Sequence, residues 1–446
     1  MIVLAAAAVT ALGASALDVT FRGASHPVIH ITPETNTGLE SIYVAYDTSE
    51  ITEMVISGIG TNVNVSRYSN LGGGYAEAVN FTITDGNAVV SAPQGNMGYI
   101  VESDGRQTCF WVVNYQPDLL VLTSATAAPE QECEGTRINV EGRGDAIHYF
   151  TIDGRQAELS REISIQYHNL IWEEDSEAFV QHEVTKTLSH LSNPVVLTPP
   201  LYCNSTLHIS GDRFLKEWGM GVNLESALIY ANGVAVQTSA EQTNLPDDGP
   251  DAPPSNAIKT ETQGMGGSAP ADISFRAWVT DAVIHNEWQI ASDQDFEYID
   301  YRFNEQTLDY TFEQEGTYYV RFIGSNSDGS CESVGETYTV SIGASDLRIP
   351  NAFSPNDDGV NDEWKVGYRS LLTFRCTIFD RYGNEITSFS DPSQGWDGKY
   401  KGKFVKPGVY FYVIEATGAD GKKYKKGGDI NIIKSKRYSE TTTPGS

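Results

Sequence analysis

The chain has 446 residues, 40% of them hydrophobic, which suits several domains that each bury a core and argues against a disordered polypeptide. Its formal net charge is −29, and a field of that sign repels phosphate, so nucleic acid is excluded as a partner. Tyrosine (23 residues) and glycine (41 residues) are frequent, which favours β-sandwiches, because aromatic side chains suit half-buried pleated surfaces and glycine suits turns.

The N-terminus has the pattern of a secretory signal peptide. An apolar run from Ile2 to Leu12 precedes the small residues Ala14, Ser15 and Ala16. We therefore expect residues 1–16 to direct the chain to the periplasm. This run is shorter than the ~18 apolar residues of a membrane-spanning helix, and the sequence contains no longer one, so no transmembrane segment is predicted.

From residue 17 onward, short β-like runs alternate with turn residues. The dipeptides Asp153-Gly154 and Asn232-Gly233 favour the positive φ angles of tight hairpin turns. A stretch rich in Ser, Ala and Pro at 124–130 has the composition of a linker. We predict a β-sandwich domain over 17–123 and an immunoglobulin-like domain over 124–200.

A third domain is predicted over 201–344. Residues 241–268 within it are rich in Pro, Gly and Asp, which indicates either a long polar loop or an interdomain linker. Further on, Tyr318, Val320 and Phe322 follow the period of two that places one strand face in a core. The segments Tyr310–Phe312, Gly316–Val320 and Asn326–Cys331 resemble the closing strands of PKD-type immunoglobulin-like domains, over roughly residues 269–343. The resemblance implies a spacer or binding module on a cell surface.

The chain has five cysteines, and so low and odd a number argues against a disulfide scaffold. An exported protein can still form one or two bridges. We predict a disulfide between Cys203 and Cys331, because these two residues bracket the third domain. A bridge between Cys109 and Cys133 is a second alternative. Cys376 lies in an apolar strand and is predicted to be a buried thiol.

The last ~90 residues carry a series of unusual motifs in a fixed order. In chain order they are Ile349–Asp362 (IPNAFSPNDDGVND), Ile378–Asn384 (IFDRYGN), Trp396–Lys399 (WDGK), Pro407–Tyr412 (PGVYFY) and Gly428–Lys434 (GDINIIK). This series resembles the gliding motility-associated C-terminal domain, the type B sorting domain of the type IX secretion system of Bacteroidota. The resemblance implies a small β-sandwich over 345–434 that engages the outer-membrane secretion machinery, followed by a tail at 435–446.

The residues of this segment agree with a sandwich. Val409 to Ile414 is apolar at both alternating sets of positions, which predicts a strand with the core on one face and covering side chains on the other. Trp396 stands beside a glycine turn, and we expect its ring to fill the core rather than to bind a ligand.

One group of residues has the composition of a metal site. Asn356, Asp358, Asn361 and Asp362 surround a glycine, and closely spaced Asp and Asn side chains can supply several of the six to eight oxygens that calcium binds. The alternative is an Asx turn, in which the same side chains accept hydrogen bonds from nearby backbone N–H groups. Calcium is the one cofactor that the sequence suggests.

Motifs for the common hydrolases and phosphate-binding enzymes are absent from the sequence, and we predict no catalytic residues. The predicted fold is all-β, a tandem of immunoglobulin-like β-sandwich domains that ends in a small β-sandwich sorting domain. The predicted protein is non-enzymatic and is secreted or held on the outer cell surface, where its domains bind a glycan or protein ligand or act as spacers. Two alternatives stay open: a secreted hydrolase with its site in 17–200, and a filament or surface-layer subunit.

Overall fold

A computed structural model of the protein describes residues 17–243, 256–258 and 264–433. The predicted signal peptide, the predicted tail and most of the predicted polar loop lie outside the described residues. The described chain forms two compact units. One holds the residues up to Ile171 together with Val180–Gly233, and the other holds Trp172–Phe179 and the residues from Val234 onward.

The first domain of unit one is a β-sandwich. Its sheets have the strand orders β1-β4-β8-β7 and β2-β3-β10-β9-β5-β6, with β3 and β10 parallel. The strands are β1 (Asp18–Arg22), β2 (Ile29–Ile31), β3 (Ser41–Ala45), β4 (Glu53–Ser57), β5 (Val63–Tyr68), β6 (Glu77–Ala78), β7 (Thr82–Thr84), β8 (Asn87–Ser91), β9 (Met97–Ser103) and β10 (Arg106–Asn114). Short 3₁₀ helices follow β3 (Thr48–Glu50) and β10 (Gln116–Asp118).

Strand β10 is buried on both faces. Phe110 and Val112 pack into the core between the two sheets of the first domain. Trp111 and Val113, which point the other way because side chains alternate along a strand, belong to a second core that continues into the next domain. Removing a fully buried Trp side chain costs about 3–5 kcal/mol, so this shared core fixes the first two domains to each other.

The second domain completes unit one with three sheets. Their strand orders are β11-β12-β17, β13-β14 and β16-β15-β18-β19. The elements are β11 (Val121–Ala127), β12 (Thr136–Arg143), β13 (Ile147–Phe150), β14 (Gln156–Leu159), β15 (Ile163–Glu173), β16 (Ala178–Leu188), β17 (Val195–Leu197), β18 (His208–Gly211), α1 (Arg213–Glu217) and β19 (Val222–Glu225). The last two residues of β15 and the first two residues of β16 fall in unit two.

Two sequence predictions need correction here. The boundary predicted at residue 200 is too early, because β15 pairs with β18 beyond it, with Ser164 opposite Ser210. The predicted Asn232-Gly233 hairpin does not form. Asn232 instead donates from Nδ2 to Glu132 O at 2.9 Å, which ties the end of the unit back to the loop before β12. The Asp153-Gly154 turn does join two antiparallel strands, β13 and β14.

The third domain is a β-sandwich in unit two. Its sheets have the orders β20-β22-β25 and β21-β28-β26-β23-β24, and β27 also pairs with β26. Val320 and Phe322 are fully buried with Trp288, as the period-two pattern predicted. The strands are β20 (Val236–Gln242), β21 (Met265–Gly267), β22 (Ala271–Val279), β23 (His285–Ala291), β24 (Tyr301–Phe303), β25 (Thr307–Phe312), β26 (Gly316–Ser325), β27 (Glu332–Val334) and β28 (Tyr338–Ile342).

The C-terminal domain is a small sandwich with its own core. Its main sheet has the order β30-β37-β36-β32-β33, and β29-β31 and β34-β35 form two-stranded sheets. The all-β tandem predicted from the sequence is confirmed. The strands are β29 (Asp346–Arg348), β30 (Ala352–Phe353), β31 (Gly367–Arg369), β32 (Leu371–Phe379), β33 (Glu385–Phe389), β34 (Lys399–Tyr400), β35 (Lys403–Phe404), β36 (Gly408–Gly418) and β37 (Lys423–Ile432).

Ser370 joins the third and C-terminal domains. Its buried side chain donates to Gly343 O at 2.6 Å and accepts from Ala269 N at 3.1 Å, while its backbone N–H donates to Ser268 Oγ at 2.7 Å. These partners belong to the third domain, and Ser370 itself connects β31 to β32. The junction is therefore a hydrogen-bonded contact rather than a bare linker.

A described piece of the polar loop region also contacts the C-terminal domain. Ala257 forms a parallel bridge with Tyr368 of β31. Asn256 Nδ2 donates to Val366 O at 2.6 Å and to Pro392 O at 2.8 Å. Residues 256–258 thus add a short extended segment beside β31.

The predicted Cys203–Cys331 disulfide is absent from the structure. Cys331 is disulfide-bonded, as is Cys133, but Cys203 is a buried thiol. Its Sγ lies 3.8 Å from His168 O and 3.9 Å from Gln181 Nε2, inside the second domain. Cys109 is a buried thiol as well, which also removes the Cys109–Cys133 alternative. Cys376 is a buried thiol, as predicted.

Candidate functional site

The motifs of the C-terminal segment form a compact arrangement around two tryptophans. Trp364 and Trp396 pair through their backbones, with N–H···O distances of 2.9 and 3.0 Å. Trp364 Nε1 donates to Pro350 O at 2.7 Å, and Trp396 Nε1 donates to Lys399 O at 3.0 Å. Both rings are almost fully buried, so the prediction that Trp396 fills the core is confirmed.

The inward side chains of β36 pack on these two rings. Tyr410 lies 5.1 Å from Trp396 between ring centroids, and Tyr412 lies 5.4 Å from Trp364. Ile414 continues the same inward row and is fully buried. The motif PGVYFY therefore supplies one face of the domain core.

The acidic loop that follows β30 is a network of backbone hydrogen bonds around Asp362. Asp362 Oδ1 accepts from the N–H groups of Asn356 and Asp357, both at 2.7 Å, and Oδ2 accepts from Gly359 N at 2.6 Å. Asp358 Oδ1 accepts from Val360 N at 2.9 Å. These are the contacts of the Asx-turn alternative.

Side chains within the loop bind each other as well. Asn356 Nδ2 donates to Asp358 Oδ2 at 2.7 Å, and Asn356 Oδ1 accepts from Asp358 N at 3.0 Å. Asn361 lies at a positive φ of 53° and contributes its backbone oxygen, which accepts from Ser354 N at 2.9 Å. Throughout 17–243, 256–258 and 264–433, no three His, Cys, Asp or Glu side chains are grouped to hold a metal ion. Calcium at Asn356, Asp358, Asn361 and Asp362 stays a prediction.

Carboxylates also fix the turns between the strands of the main sheet. Asp380 Oδ1 accepts from Tyr382 N at 2.8 Å and from Asn384 N at 2.9 Å, and its Oδ2 accepts from Asn384 Nδ2 at 2.8 Å. The Asn384 side chain, followed by the two backbone N–H groups, lowers the pKa of Asp380. In the next turn, the Ser345 hydroxyl lowers the pKa of Asp420 in the same way.

The outer face of the main sheet differs from the prediction. Val409, Phe411 and Val413 alternate with the buried row of β36 and are 46%, 44% and 43% exposed. Covering side chains were predicted for this face, but the described residues leave these three apolar side chains open to solvent. We call them the apolar stripe.

A basic concavity lies at one end of the apolar stripe. Its volume is about 420 Å³, and Arg375, Lys423, Lys425 and Glu415 are among the residues that line it. Lys425 Nζ lies 3.1 Å from Glu415 Oε1, and both side chains are exposed. The strand register places Glu415 opposite both Arg375 of β32 and Lys425 of β37. The concavity therefore carries three cations and one carboxylate.

Unit one contains a buried ionic network that no sequence motif indicated. Arg161 Nε lies 3.0 Å from Asp212 Oδ2, and Tyr115 Oη donates to the same oxygen at 2.8 Å. Arg161 also donates to Asp145 O at 2.8 Å and to Asp118 O at 2.5 Å. Burial, followed by the charge of Asp212, raises the pKa of Tyr115. No local sequence signal distinguishes these residues, because the network forms only when distant segments meet.

Asp212 has a second role in this network. Its Oδ1 accepts from Leu215 N at 3.0 Å and caps α1. The helix leads to Trp218, whose Nε1 donates to Pro27 O at 2.7 Å in the first domain. The network thus connects the two domains of unit one and is structural in its contacts.

Comparison with known families identifies two segments of the chain. Residues 125–226 match the fibronectin type III domain family, and residues 347–432 match the CHU_C type IX secretion signal domain. No curated protein matches the chain. In the described residues, no helix is long and apolar enough to cross a membrane.

Two solved structures show a distant similarity. The three N-terminal domains of the bacteriophage RB49 highly immunogenic outer capsid protein (Hoc) are 10% identical, with 71% of this chain and 100% of that chain covered and a TM-score of 0.22. Dimeric latent PorU from Porphyromonas gingivalis is also 10% identical, with 74% of this chain and 35% of that chain covered and a TM-score of 0.15. Scores this low support no conclusion about function.

The family match and the domain architecture agree with each other. The matched residues 347–432 coincide with the described C-terminal sandwich and with the motifs from Ile349 onward. The protein carries a fibronectin type III domain and other β-sandwich domains ahead of a type IX secretion signal domain, and it is exported to the outer cell surface or secreted.

Proposed function

We propose that the exported chain is a non-enzymatic surface or secreted protein whose domains before residue 345 bind a glycan or protein ligand or hold one at a distance from the cell. The C-terminal domain carries the chain through the outer membrane by engaging the type IX machinery. The observation that carries the proposal is the domain content: immunoglobulin-like sandwiches followed by a sorting domain with its own closed core.

The ionisable groups support a structural role for these domains. Asp104, Asp153, Asp293 and Asp328 all have a lowered pKa, and hydrogen bonds from nearby backbone or side-chain groups are the first cause in each case. Such carboxylates stabilise turns. A general acid instead needs a pKa raised towards neutrality. Burial raises the pKa of Asp118, and the charge of Arg161 opposes this rise.

Deletion of residues 347–432 tests the sorting role. In a host that has type IX machinery, we expect the full chain on the surface or in the medium and the shortened chain in the periplasm. The deletion also removes Trp364 and Trp396, so cooperative thermal unfolding of the purified shortened chain, followed by circular dichroism, controls for global misfolding. Surface display of the shortened chain at the level of the full chain would contradict the proposal.

Turnover assays test the non-enzymatic role. The purified chain is incubated with a panel of glycans and peptides, and the same panel is used for binding by calorimetry. We expect binding without product formation. Catalytic turnover that survives repurification would favour the hydrolase alternative, and assembly that grows with concentration in light scattering would favour the filament alternative.

A further inference from the structure

The apolar stripe runs along the middle of the outer face of the sorting domain. Val409, Phe411 and Val413 occupy alternate positions of β36, the central strand of the five-stranded sheet. On the β32 side, Phe379 lies opposite Phe411 and Thr377 opposite Val413. The solvated face of an antiparallel sheet ordinarily carries polar side chains, so three exposed apolar ones in a row are a departure that needs a cause.

On the β37 side, one of the residues that border the stripe is a glycine. Gly427 lies opposite Val413 and has no side chain. A Cβ at Gly427 would meet nothing closer than Tyr412 O at 3.5 Å, so local packing does not require the glycine. Its absence of a side chain leaves Val413 open to an approaching partner.

The end of the stripe beyond Val413 is positively charged. Arg375, Lys423 and Lys425 face the concavity beside Thr417, with Glu415 as the single carboxylate among them. The whole chain has a net charge of −29, so this basic end differs in sign from the protein as a whole. Anionic groups on a partner would be attracted here, and apolar groups would pack on the stripe.

These two features together have the anatomy of a protein interface, with an apolar centre and a charged rim. A lipid surface fits less well, because a charged side chain, Asp429, lies directly opposite Phe411 on β37 and would be buried against the lipid. A folded protein partner can place a donor against Asp429 and carboxylates against the lysines.

We propose that the outer face of β36 is the surface on which the type IX machinery docks, and that the docking component presents apolar side chains next to carboxylates. This inference rests on the sorting role proposed above. It assigns that role to the exposed face of the sheet, whereas the inner face around Trp364 and Trp396 forms the core of the domain.

The first test replaces the stripe in the full chain with Val409→Thr, Phe411→Thr and Val413→Thr together. Threonine keeps the strand propensity but removes apolar surface. In a host with type IX machinery, we expect the ratio of exported to periplasmic protein to fall at least tenfold. The matched control carries three threonines at other exposed apolar sites, Val196→Thr, Ile284→Thr and Val334→Thr, and should be exported normally.

The second test reverses the charge of the basic end with Arg375→Glu, Lys423→Glu and Lys425→Glu. These side chains are exposed, so the fold should be retained, and thermal unfolding of the purified full chain checks this. We again expect retention in the periplasm. If the threonine variant fails to fold, this charge variant decides the proposal.

The outcomes separate the two levels of inference. Normal export of the folded variants, with the 347–432 deletion retained, would overturn the docking face and leave the sorting role intact. Normal export of the deletion would overturn both. A wild-type dimer that the threonine variant dissociates in sedimentation, with export unchanged, would assign the face to a second copy of the chain and also overturn the proposal.

Discussion

Arg161 and Asp212 form an ion pair with an Nε–Oδ2 distance of 3.0 Å, and neither side chain has any exposed surface. Removing one partner of such a pair leaves a buried charge without compensation, which typically costs 3–5 kcal/mol. We expect Arg161→Met to lower the free energy of unfolding of unit one by about that amount in a denaturant titration.

The control for this variant is Arg22→Met. Arg22 pairs with Glu53 at 3.0 Å, but both side chains are solvent-exposed, and exposed pairs contribute roughly 0–1 kcal/mol. Equal effects of the two substitutions would show that the buried network does not stabilise unit one.

The sequence revealed the C-terminal domain but not this network. The motifs of the sorting domain are continuous strings, because the turn carboxylates and core aromatics lie close together along the chain. Arg161 and Asp212 are 51 positions apart in the sequence, and each looks like an ordinary surface residue until the segment before β15 meets the start of α1. The same limitation explains the wrong boundary at residue 200, since strand pairing between β15 and β18 leaves no local trace.

The cysteine prediction failed for a related reason. Pairing Cys203 with Cys331 used only their positions around a predicted domain, whereas geometry decides which thiols can meet. The apolar stripe is a different case. The sequence correctly showed apolar residues on both faces of β36, but a pattern of side chains cannot state whether another layer covers them.

Substitution of Asp362 tests the acidic loop. Its carboxylate accepts three backbone N–H groups, and the loss of a charged acceptor costs about 1–3 kcal/mol. We expect Asp362→Ala to destabilise the sorting domain by that amount in thermal or chemical unfolding. Asp391→Ala, in a separate turn, removes a carboxylate that accepts one backbone N–H and one hydroxyl, so it should cost less than Asp362→Ala.

Calcium titration of the wild-type chain accompanies this experiment. If backbone N–H groups are the partners of the loop, the unfolding temperature should not change with added calcium or chelator. A rise that depends on calcium concentration and disappears in Asp362→Ala would support the calcium site predicted from the sequence instead.

Asp380 predicts a pH dependence for the sorting domain. Its folded pKa is lowered from the ordinary 3.8, so its contribution to stability is complete above about pH 4 and is lost as the pH falls through the folded pKa. We expect Asp380→Asn to unfold with a shallower dependence on pH below pH 4 than the wild-type chain. Parallel acid titrations followed by circular dichroism would show this, and identical slopes would contradict it.

Cys376 predicts a protected thiol. Burial raises its pKa to about 12, so the reactive thiolate is scarce at neutral pH in the folded domain. We expect iodoacetamide to leave Cys376 unmodified in the native chain and to modify it fully in denaturant, as read by peptide mass spectrometry. Rapid labelling of the native chain would show that this core opens frequently.

Ser370 is predicted to stabilise the junction between the third and C-terminal domains of unit two. Its hydroxyl donates to Gly343 O and accepts from Ala269 N. Its φ of 49° is a backbone conformation that glycine adopts more easily than serine. Ser370→Ala should cost about 1–3 kcal/mol, because two buried backbone groups lose their partner. Ser370→Gly loses the same bonds but relieves the backbone, so it should be the milder variant. The reverse order in calorimetry would show that relief of the backbone does not decide the difference, and wild-type stability of both variants would show that the hydroxyl matters little.

The shared core of unit one has a mechanical consequence. One sheet supplies side chains to two cores, through Phe110 and Val112 on one face and Trp111 and Val113 on the other. Fluid flow past a surface-exposed protein exerts a torque that can rotate its domains about a flexible linker. In unit one, rotation of the first domain against the second would have to disrupt the packing of their shared core. The first two domains should therefore resist torque as one rigid segment.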